Sequence, residues 1–365
     1  MAGNTFVPLY KKVYLDMKGK IQSREFAPGA KLPCERELCD VYGVKRVTIR
    51  KALELLAQED LITKRMGLGS FVAPDGEAAL ESAPDSAATI LFIMRRNAND
   101  IYNNTSSCNT RMFFEMERVC RQNGYLLSYI ALDEGASVMD IAKEHPFSGV
   151  FLVSSYLESA IQDLERMKKP AVLLNHCDAR LLSVMPDNQA MLKLVIGHLA
   201  DMKHTRIAYI DGMPDSRNAQ ERWEAFRYAM YEHHLQVDPD LYFVGNWTYD
   251  GGRQAARCLL ESSPLPTAIF AASDMMAAGV MEELRSAGLR IPEDISIVGY
   301  DNLDIDMLLS PPLSSATINF KNMCEVAFEH LKTVIKKGNR DMDHYIIRMP
   351  ASLICRESVA VCETP

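Results

Sequence analysis

The sequence predicts an α/β protein in two parts, an N-terminal winged helix-turn-helix and a larger body of parallel β-sheets in two lobes. Residues 31–72 read as a short helix, a tight turn, a second helix and a glycine-tipped hairpin. After residue 89, continuous apolar strands alternate with helices, as in parallel sheets covered on both faces. The alternation restarts near residue 189, so we expect two similar halves with a cleft between them.

Charge is divided unevenly along the chain, whose 365 residues carry a net charge of −8. Residues 1–74 hold 13 Lys and Arg against 8 Asp and Glu, a net charge of +5. The remainder holds 27 against 40, a net charge of −13. A basic N-terminal part on an acidic body places phosphate affinity at the N-terminus and away from the rest of the chain.

The cysteine pattern and the lack of long apolar runs predict a cytoplasmic protein. Nine cysteines, an odd number, occur without CxxC spacing, which a reducing compartment allows. The N-terminus has no signal-like segment, and no apolar run approaches the roughly 18–20 residues of a membrane helix. His and Cys residues lack metal-type spacing. We therefore expect no membrane association and no metal site.

The first 73 residues contain three predicted helices and a hairpin. An amphipathic helix covers about residues 8–24, and a second covers Glu35–Tyr42. Gly43 supplies the turn before a third helix, from about Lys45 to Gln58. The third helix is expected to turn Val47, Leu53 and Leu56 towards the core, and the pattern leaves Ile49 open. Residues 63–65 and 70–73 form the hairpin, with Gly67 and Gly69 at its tip.

Polar and basic residues open the third helix, where Lys45, Arg46, Thr48 and Arg50 occupy the first turn and a half. In a helix-turn-helix, this part of the second helix faces base edges in the major groove. Arginine offers a forked donor for guanine or phosphate, while lysine is a point charge. The four residues are therefore candidate DNA contacts. The sequence does not decide which arginine reads a base and which binds the backbone.

The N-terminal segment closely resembles the GntR family of bacterial regulators. The resemblance rests on Pro8–Tyr10, Pro28–Pro33, Glu35–Leu38, Val44–Leu53 and Gly67–Val72. It implies that Arg36, Arg46, Thr48 and Arg50 contact DNA and that Gly67 brings the wing backbone into the minor groove. Cys34, Lys45 and Val47 depart from the usual family residues. The first departure predicts a weaker helix cap, and the other two predict a different operator preference.

Residues 74–88 are small, polar and bounded by proline, as in a linker. The expected domains are therefore a winged helix-turn-helix at 1–73, the linker at 74–88 and a two-lobed body at 89–360. The body resembles the LacI/GalR-type effector domain, which is related to periplasmic sugar-binding proteins. That resemblance rests on motifs at residues 186–188, 198–199, 204–208, 222–226, 245–248, 272–279, 291–301, 311–315 and 350–358. A GntR-type head on such a body is the architecture of the arabinose-repressor-like subgroup.

The resemblance implies an effector site formed by Arg222, Trp247, Ser273 and Asp301. Asp301 follows a predicted strand over Ser296–Val298, so its carboxylate should point into the cleft and accept hydroxyl groups. Arg222 would donate to sugar oxygens, and Trp247 would cover a sugar face. Other roles stay open: a turn residue for Asp301, an ion pair within the lobe for Arg222 and core packing for Trp247. Ser273 stands where some relatives carry Asn, which predicts a weaker or water-mediated contact.

Two further features leave alternatives open. Asp274 is either a ligand residue or the N-cap of a helix over residues 275–287, and the cap is favoured. Residues 95–100 follow the first strand of the body. They are either a ligand contact or a solvated loop.

Together these features predict a DNA-binding transcriptional regulator controlled by a small polar ligand. The partners expected are double-stranded operator DNA, a ligand that is most simply a sugar, and a second copy of the chain. Repression is inferred from the two families. A nucleoside or sugar phosphate is the alternative ligand, and a solute-binding protein would leave the helix-turn-helix unexplained. The rival enzyme class is an aminotransferase-like body that uses pyridoxal phosphate, which should be longer and carry a strand-end lysine for a Schiff base; the two-lobed resemblance disfavours it. The sequence shows no Walker loop, GxSxG elbow or paired acid–base carboxylates, so we expect no enzyme and no cofactor.

Overall fold

The computed structural model describes residues 9–23, 25–27, 29–58, 61–65, 69–72, 88–95, 108–133, 135–154, 158–214, 216–337 and 345–363. The chain divides into two compact units, residues 1–86 and 87–365. Three predicted features lie outside the described residues: Gly67 at the hairpin tip, nearly all of the linker and the loop at 96–100.

The N-terminal unit is a winged helix-turn-helix, as predicted. Its described elements are α1 (Leu9–Gln22), α2 (Glu35–Tyr42), α3 (Arg46–Gln58) and the antiparallel strands β1 (Ile62–Arg65) and β2 (Gly69–Val72). Gly43 ends α2 with a φ of 62°, a left-handed conformation that glycine adopts without steric cost. The helices enclose a small core of buried side chains from all three, including Val13, Met17, Leu38, Ile49, Leu53 and Leu56.

The prediction that Val47 faces the core is wrong, because its side chain is 77% exposed. The buried face of α3 is formed by Ile49, Ala52, Leu53 and Leu56. These positions recur at the three- and four-residue spacing of one helix face. Val47 lies two residues before Ile49, which is roughly 200° around the helix axis, so both cannot face the same core. An apolar side chain therefore stands on the outer surface of α3.

The first lobe of the second unit contains a six-stranded parallel sheet in the order β13-β7-β6-β5-β3-β4. The strands are β3 (Thr89–Arg95), β4 (Leu126–Leu132), β5 (Gly149–Val153), β6 (Ala171–Leu174), β7 (Leu182–Pro186) and β13 (Ile346–Met349). The helices of this lobe are α4 (Cys108–Gln122), α5 (Val138–Glu144), α6 (Glu158–Arg166) and α11 (Phe320–Lys337). Strands β5 and β6 are buried throughout, as expected for a sheet covered on both faces.

The second lobe repeats this plan with the strand order β14-β12-β11-β10-β8-β9. Its strands are β8 (Ile207–Asp211), β9 (Tyr242–Val244), β10 (Ala268–Ala271), β11 (Ser296–Tyr300), β12 (Ser314–Ile318) and β14 (Ala351–Ile354). Its helices are α7 (Asn188–Asp201), α8 (Arg217–Glu232), α9 (Tyr249–Leu259) and α10 (Asp274–Ser286). All pairs are parallel except β12 with β14. The predicted pair of similar halves is confirmed.

The chain passes between the lobes at residues 187, 319 and 350. After β12 in the second lobe, α11 packs against α4 of the first lobe, and β13 then pairs with β7 there. Strand β14 returns to the second lobe beside β12. Each lobe therefore contains segments from distant parts of the sequence, and three short crossings join the lobes.

Candidate functional site

Candidate DNA-contacting residues lie together on the outer surface of the N-terminal unit. Lys45, Arg46 and Arg50 are exposed at the start of α3, and Thr48 is half-buried beside them. Arg36 is exposed on α2. Because the apolar face of α3 is fixed in the core, this polar face must point outwards. The unit therefore presents cations on two neighbouring helices, and Gly67 is the one predicted contact outside the described residues.

One carboxylate holds two of these arginines. Glu35 Oε2 accepts a hydrogen bond from Arg46 Nε, and Arg50 Nε donates to the same carboxylate at 3.1 Å. The hydrogen bond from Arg46 is the main reason that the pKa of Glu35 lies below its ordinary value. Both arginine side chains stay more than half exposed, at 67% and 56%. Glu35 therefore orients the two guanidinium groups while leaving them open to a partner.

The residues predicted to line the cleft of the second unit are grouped around Arg222, a residue of α8 whose exposed fraction is 4%. Its guanidinium carbon lies 3.5 Å from the ring centroid of Tyr300 and 5.2 Å from that of Trp247. Nη1 donates to the carbonyl of Ala272. Nε is buried and has no hydrogen-bond partner among the described residues. A buried N–H group without an acceptor is rare in folded proteins, and a bound ligand is one way to satisfy it.

Asp301 follows β11 with a φ of 119°, outside the usual region for a non-glycine residue. Its backbone N–H donates to Ala316 at 2.8 Å, and its carbonyl accepts from Thr317 Oγ1 at 3.1 Å. These bonds fix the backbone while the carboxylate accepts no hydrogen bond from the described residues. Burial raises the pKa of Asp301 to about 8, although the charges of Arg222 and Arg111 act in the opposite direction. The carboxyl group is thus poised to accept from a ligand.

Trp247 lies over the end of β8 and is half-buried. Its φ of 63° and that of Asn246, 53°, place two successive residues in the left-handed region. A Cβ at Gly212 would lie 2.0 Å from the indole ring, so only glycine there permits the ring to approach. The ring also faces the Arg222 cation. The structure thus brings Trp247, Arg222 and Asp301 into one region of the second lobe.

Ser273, and not Asp274, caps α10, so the favoured cap role for Asp274 is wrong. Ser273 Oγ accepts from the backbone N–H of Met276 at 3.3 Å. Asp274 is the first helical residue and is fully buried. It accepts from Ser315 Oγ at 2.6 Å and from the backbone N–H of Leu303 at 2.9 Å. The strand before it ends at Ala271, but the helix begins at Asp274, one residue earlier than predicted, so the cap falls on Ser273.

The first lobe contributes polar groups that the sequence reasoning missed. Asn109 accepts from Ser154 Oγ at 2.5 Å, and Asn175 Nδ2 donates to that same Oγ at 3.1 Å. From the second lobe, Asn218 Nδ2 donates to the carbonyl of Asn175 at 2.9 Å, while its buried Oδ1 has no partner among the described residues. Ser154 and Asn175 follow β5 and β6 directly. The rule that ligands bind beyond strand carboxyl ends could have identified them.

A second contact joins the lobes at Arg111 of α4, whose Nη1 donates to the carbonyl of Asn302 at 2.8 Å. Asn302 directly follows Asp301. Within the described ranges, no group of three or more His, Cys, Asp or Glu side chains is arranged to hold a metal ion. The same ranges contain no helix with the length and apolar character needed to span a membrane.

Comparison with protein families identifies both parts of the chain. Residues 9–72 match the model for bacterial regulatory proteins of the gntR family, and residues 196–359 match a periplasmic binding protein-like domain. A similar curated protein is the HTH-type transcriptional repressor PurR of Vibrio cholerae. It is 29% identical over 267 residues, which cover 68% of this chain and 78% of that protein.

Solved structures show the same fold. A LacI family regulator from Enterococcus faecium with bound ribose covers 75% of this chain and all of its own, with a TM-score of 0.66 and 21% identity. The lac repressor dimer bound to operator and an anti-inducer covers 78% of this chain and 99% of its own, with a TM-score of 0.65 and 21% identity. The relatives are transcriptional regulators. The arabinose-repressor-like subgroup stays a prediction, and the chain is a transcriptional regulator of the GntR/LacI type.

Proposed function

We propose that the protein is a homodimeric repressor whose operator affinity is controlled by a small polyhydroxylated ligand, most simply a sugar. In this proposal residues 1–73 bind DNA, residues 74–88 are the linker, and residues 89–360 bind the ligand between the lobes. The ligand is bound and released unchanged, so the chain performs no catalysis. Operator binding places the protein with the chromosome in the cytoplasm.

The DNA-binding role is supported by the exposed basic face of α2 and α3. We assign contacts with operator DNA to Arg36, Lys45, Arg46, Thr48 and Arg50, and the minor-groove approach to Gly67. The Glu35 carboxylate holds Arg46 and Arg50 side by side. Because both arginines are largely exposed, a DNA phosphate or a guanine edge can replace the carboxylate at little cost.

The single observation that carries the ligand proposal is the buried, unpartnered Nε of Arg222. Beside it lie an acceptor at Asp301 and an aromatic face at Trp247, and Asn218 Oδ1 is a second buried group without a partner. Sugar hydroxyls both donate and accept, so one ring can satisfy all of these groups. Ser273 is assigned a weaker contact, since its Oγ already accepts from Met276.

A sugar phosphate is less well supported, because Arg222 is the one cation among the assigned site residues that could balance its negative charges. A nucleoside keeps the hydroxyls of its sugar except the anomeric one, and it has an additional base that could stack on an aromatic ring. D-ribose is a suitable first probe, since the regulator from Enterococcus faecium holds ribose in the same fold.

A homodimer is supported by the dimer that the lac repressor forms on its operator. It is also supported by two exposed aromatic side chains on the first lobe, Phe114 of α4 and Tyr129 of β4, which both lie beside Phe113. Strand β4 lies at the edge of its sheet, where exposed apolar side chains indicate an interaction surface.

The test is thermal unfolding and calorimetric titration against monosaccharides, sugar acids, sugar phosphates and nucleosides. A ligand at 100 times its Kd adds about 2.7 kcal/mol of stability and hence a rise of a few degrees in Tm. The rise should vanish in Asp301→Ala and Trp247→Ala. It should persist in Asp304→Ala, an exposed aspartate three residues from Asp301. If no compound in the panel stabilises the protein, the ligand assignment is wrong.

A further inference from the structure

A second charged cluster lies where the two lobes join, centred on Glu221. This glutamate of α8 is only 8% exposed. Its carboxylate accepts two hydrogen bonds from Arg348, from Nη1 at 2.8 Å and from Nη2 at 3.3 Å. Asn188 Nδ2 donates to it at 3.2 Å. A forked arginine–carboxylate pair of this kind fixes orientation as well as distance.

The partners of Glu221 come from both lobes. Arg348 lies on β13 of the first lobe and also donates to the carbonyl of Pro186, the last residue of β7, at 3.2 Å. Strands β7 and β13 lead directly into the crossings at residues 187 and 350. Glu221 therefore fastens α8 of the second lobe to two of the segments about which the lobes would rotate.

The same cluster reaches the effector cleft. Tyr300 donates its hydroxyl to Asn188 Oδ1 at 2.7 Å, with both groups buried. The ring of Tyr300 carries the Arg222 guanidinium on its face. Since Glu221 and Arg222 are consecutive residues of α8, the contacts close a circuit of four side chains: Arg222, Tyr300, Asn188 and Glu221. One side of this circuit faces the cleft and the other faces the crossings.

The charge of Glu221 is maintained by its neighbours. Burial alone would raise the pKa of this carboxyl group, but the hydrogen bond and charge of Arg348, with Asn188 and Arg217, bring the pKa below its ordinary value. Arg217 Nε lies 3.4 Å from Oε1, and Cys177 Sγ of the first lobe lies 3.8 Å from the same atom. The ion pair is therefore present throughout the physiological pH range.

We propose that Glu221 is a positioning residue that sets the closure of the two lobes and couples it to occupancy of the effector cleft. The proposal rests on the proposed function, since it takes the cleft as the effector site. A ligand that accepts from Arg222 Nε would draw the guanidinium along the face of Tyr300. The phenol and Asn188 would shift with it, and the Glu221–Arg348 pair would transmit that shift to the crossings.

The first experiment needs no effector. Hydrogen exchange of the full-length protein is compared for wild type, Glu221→Gln, Arg348→Met, the double variant and Glu224→Gln. Glu224 is an exposed glutamate on the same helix and serves as the matched control. Loss of the pair should speed exchange about tenfold at residues 108–112 and 301–303, where Arg111 bridges the lobes. Both single variants should behave alike, and the double variant should add nothing.

Additive effects in the double variant would show that Glu221 and Arg348 act independently. Faster exchange spread evenly through both lobes would show that their ion pair only stabilises the fold. Either result would overturn the proposal. The second experiment titrates D-ribose and L-arabinose and measures operator affinity with and without each sugar. Glu221→Gln should keep sugar affinity within a few-fold of wild type, while the sugar-dependent change in operator affinity falls towards none. If the ratio of operator affinities with and without sugar is the same in Glu221→Gln as in wild type, the proposal is wrong. If wild type binds neither sugar, D-ribose and L-arabinose are excluded as effectors, and hydrogen exchange still decides the role of Glu221.

Discussion

The arginines of α3 and the arginine of the cleft stand in opposite environments. Arg46 and Arg50 are more than half exposed and share the Glu35 carboxylate. Arg222 is buried against two aromatic rings, and its Nε has no acceptor among the described residues. Arginine is thus ion-paired at the protein surface in the N-terminal unit. In the second unit it is buried and keeps one N–H group without an acceptor.

This difference separates two kinds of recognition. Water and salt screen an exposed arginine–carboxylate pair, so exchanging the carboxylate for a DNA phosphate costs little and binding depends on the number of charges. A buried N–H group is satisfied only by an acceptor at the right place. DNA affinity should therefore depend strongly on salt concentration and little on the exact placement of each contact. Effector affinity should be sensitive to single atoms and nearly indifferent to salt.

Replacing both exposed arginines in Arg46→Ala/Arg50→Ala should abolish specific DNA binding. Each contact is worth about 1–3 kcal/mol, so the double variant should lose roughly a hundredfold or more in affinity. The measurement is fluorescence anisotropy over a range of salt concentrations, with an operator selected in vitro by wild-type protein. The slope of log K against log salt should fall by about 1 for each of the two arginines that binds a phosphate. Lys12→Ala on α1 is the control, and an unchanged slope in the double variant would exclude phosphate contacts.

Replacing the buried acceptor in Asp301→Asn should weaken effector binding by about tenfold, because the amide has one acceptor oxygen and its NH2 group cannot accept a hydrogen bond. The stability of the ligand-free variant should instead be higher than that of wild type. With its pKa raised to about 8 by burial, Asp301 opposes folding increasingly as pH rises from about 4 to about 8. The variant should therefore unfold at a higher temperature than wild type, with a difference that grows over this pH window. Calorimetry checks both effects, and a destabilised variant at pH 8 would contradict a buried, unpaired carboxyl group.

Replacing Glu35, whose carboxylate pairs with both exposed arginines, should have the smallest effect on DNA binding. Glu35→Gln removes a negative charge beside the DNA face, so affinity for non-operator DNA should rise a few-fold at low salt. Operator affinity should rise less, because the arginines lose the group that orients them. The ratio of the two affinities, measured by anisotropy competition, should fall. Asp40→Asn, an exposed aspartate on α2, should leave this ratio unchanged.

Sequence reasoning succeeded where a local pattern specifies a local structure. Turn residues and apolar spacing predicted α2 and its neighbours, and strand–helix alternation predicted both sheets. It failed where one residue decides a helix boundary or face, as for Val47 and Asp274. It also missed the Ser154–Asn175 pair of the first lobe, although both residues directly follow predicted strands and the strand-end rule applies to them. The assigned roles of Arg222 and Asp301 came from family resemblance, and the structure supplies their burial and their missing partners.

The crossing at residue 350 has a consequence for synthesis of the protein. The first lobe begins at β3, yet its edge strand β13 and its helix α11 come from residues 320–349. During translation, nearly the whole second lobe would leave the ribosome before β13 could complete the sheet of the first lobe. Folding therefore cannot proceed lobe by lobe from the N-terminus, and an unfinished first lobe would expose the open edge of β7. Truncation after α10 removes α11 and β13 as well as the last strands of the second lobe. It should consequently destabilise the first lobe along with the second.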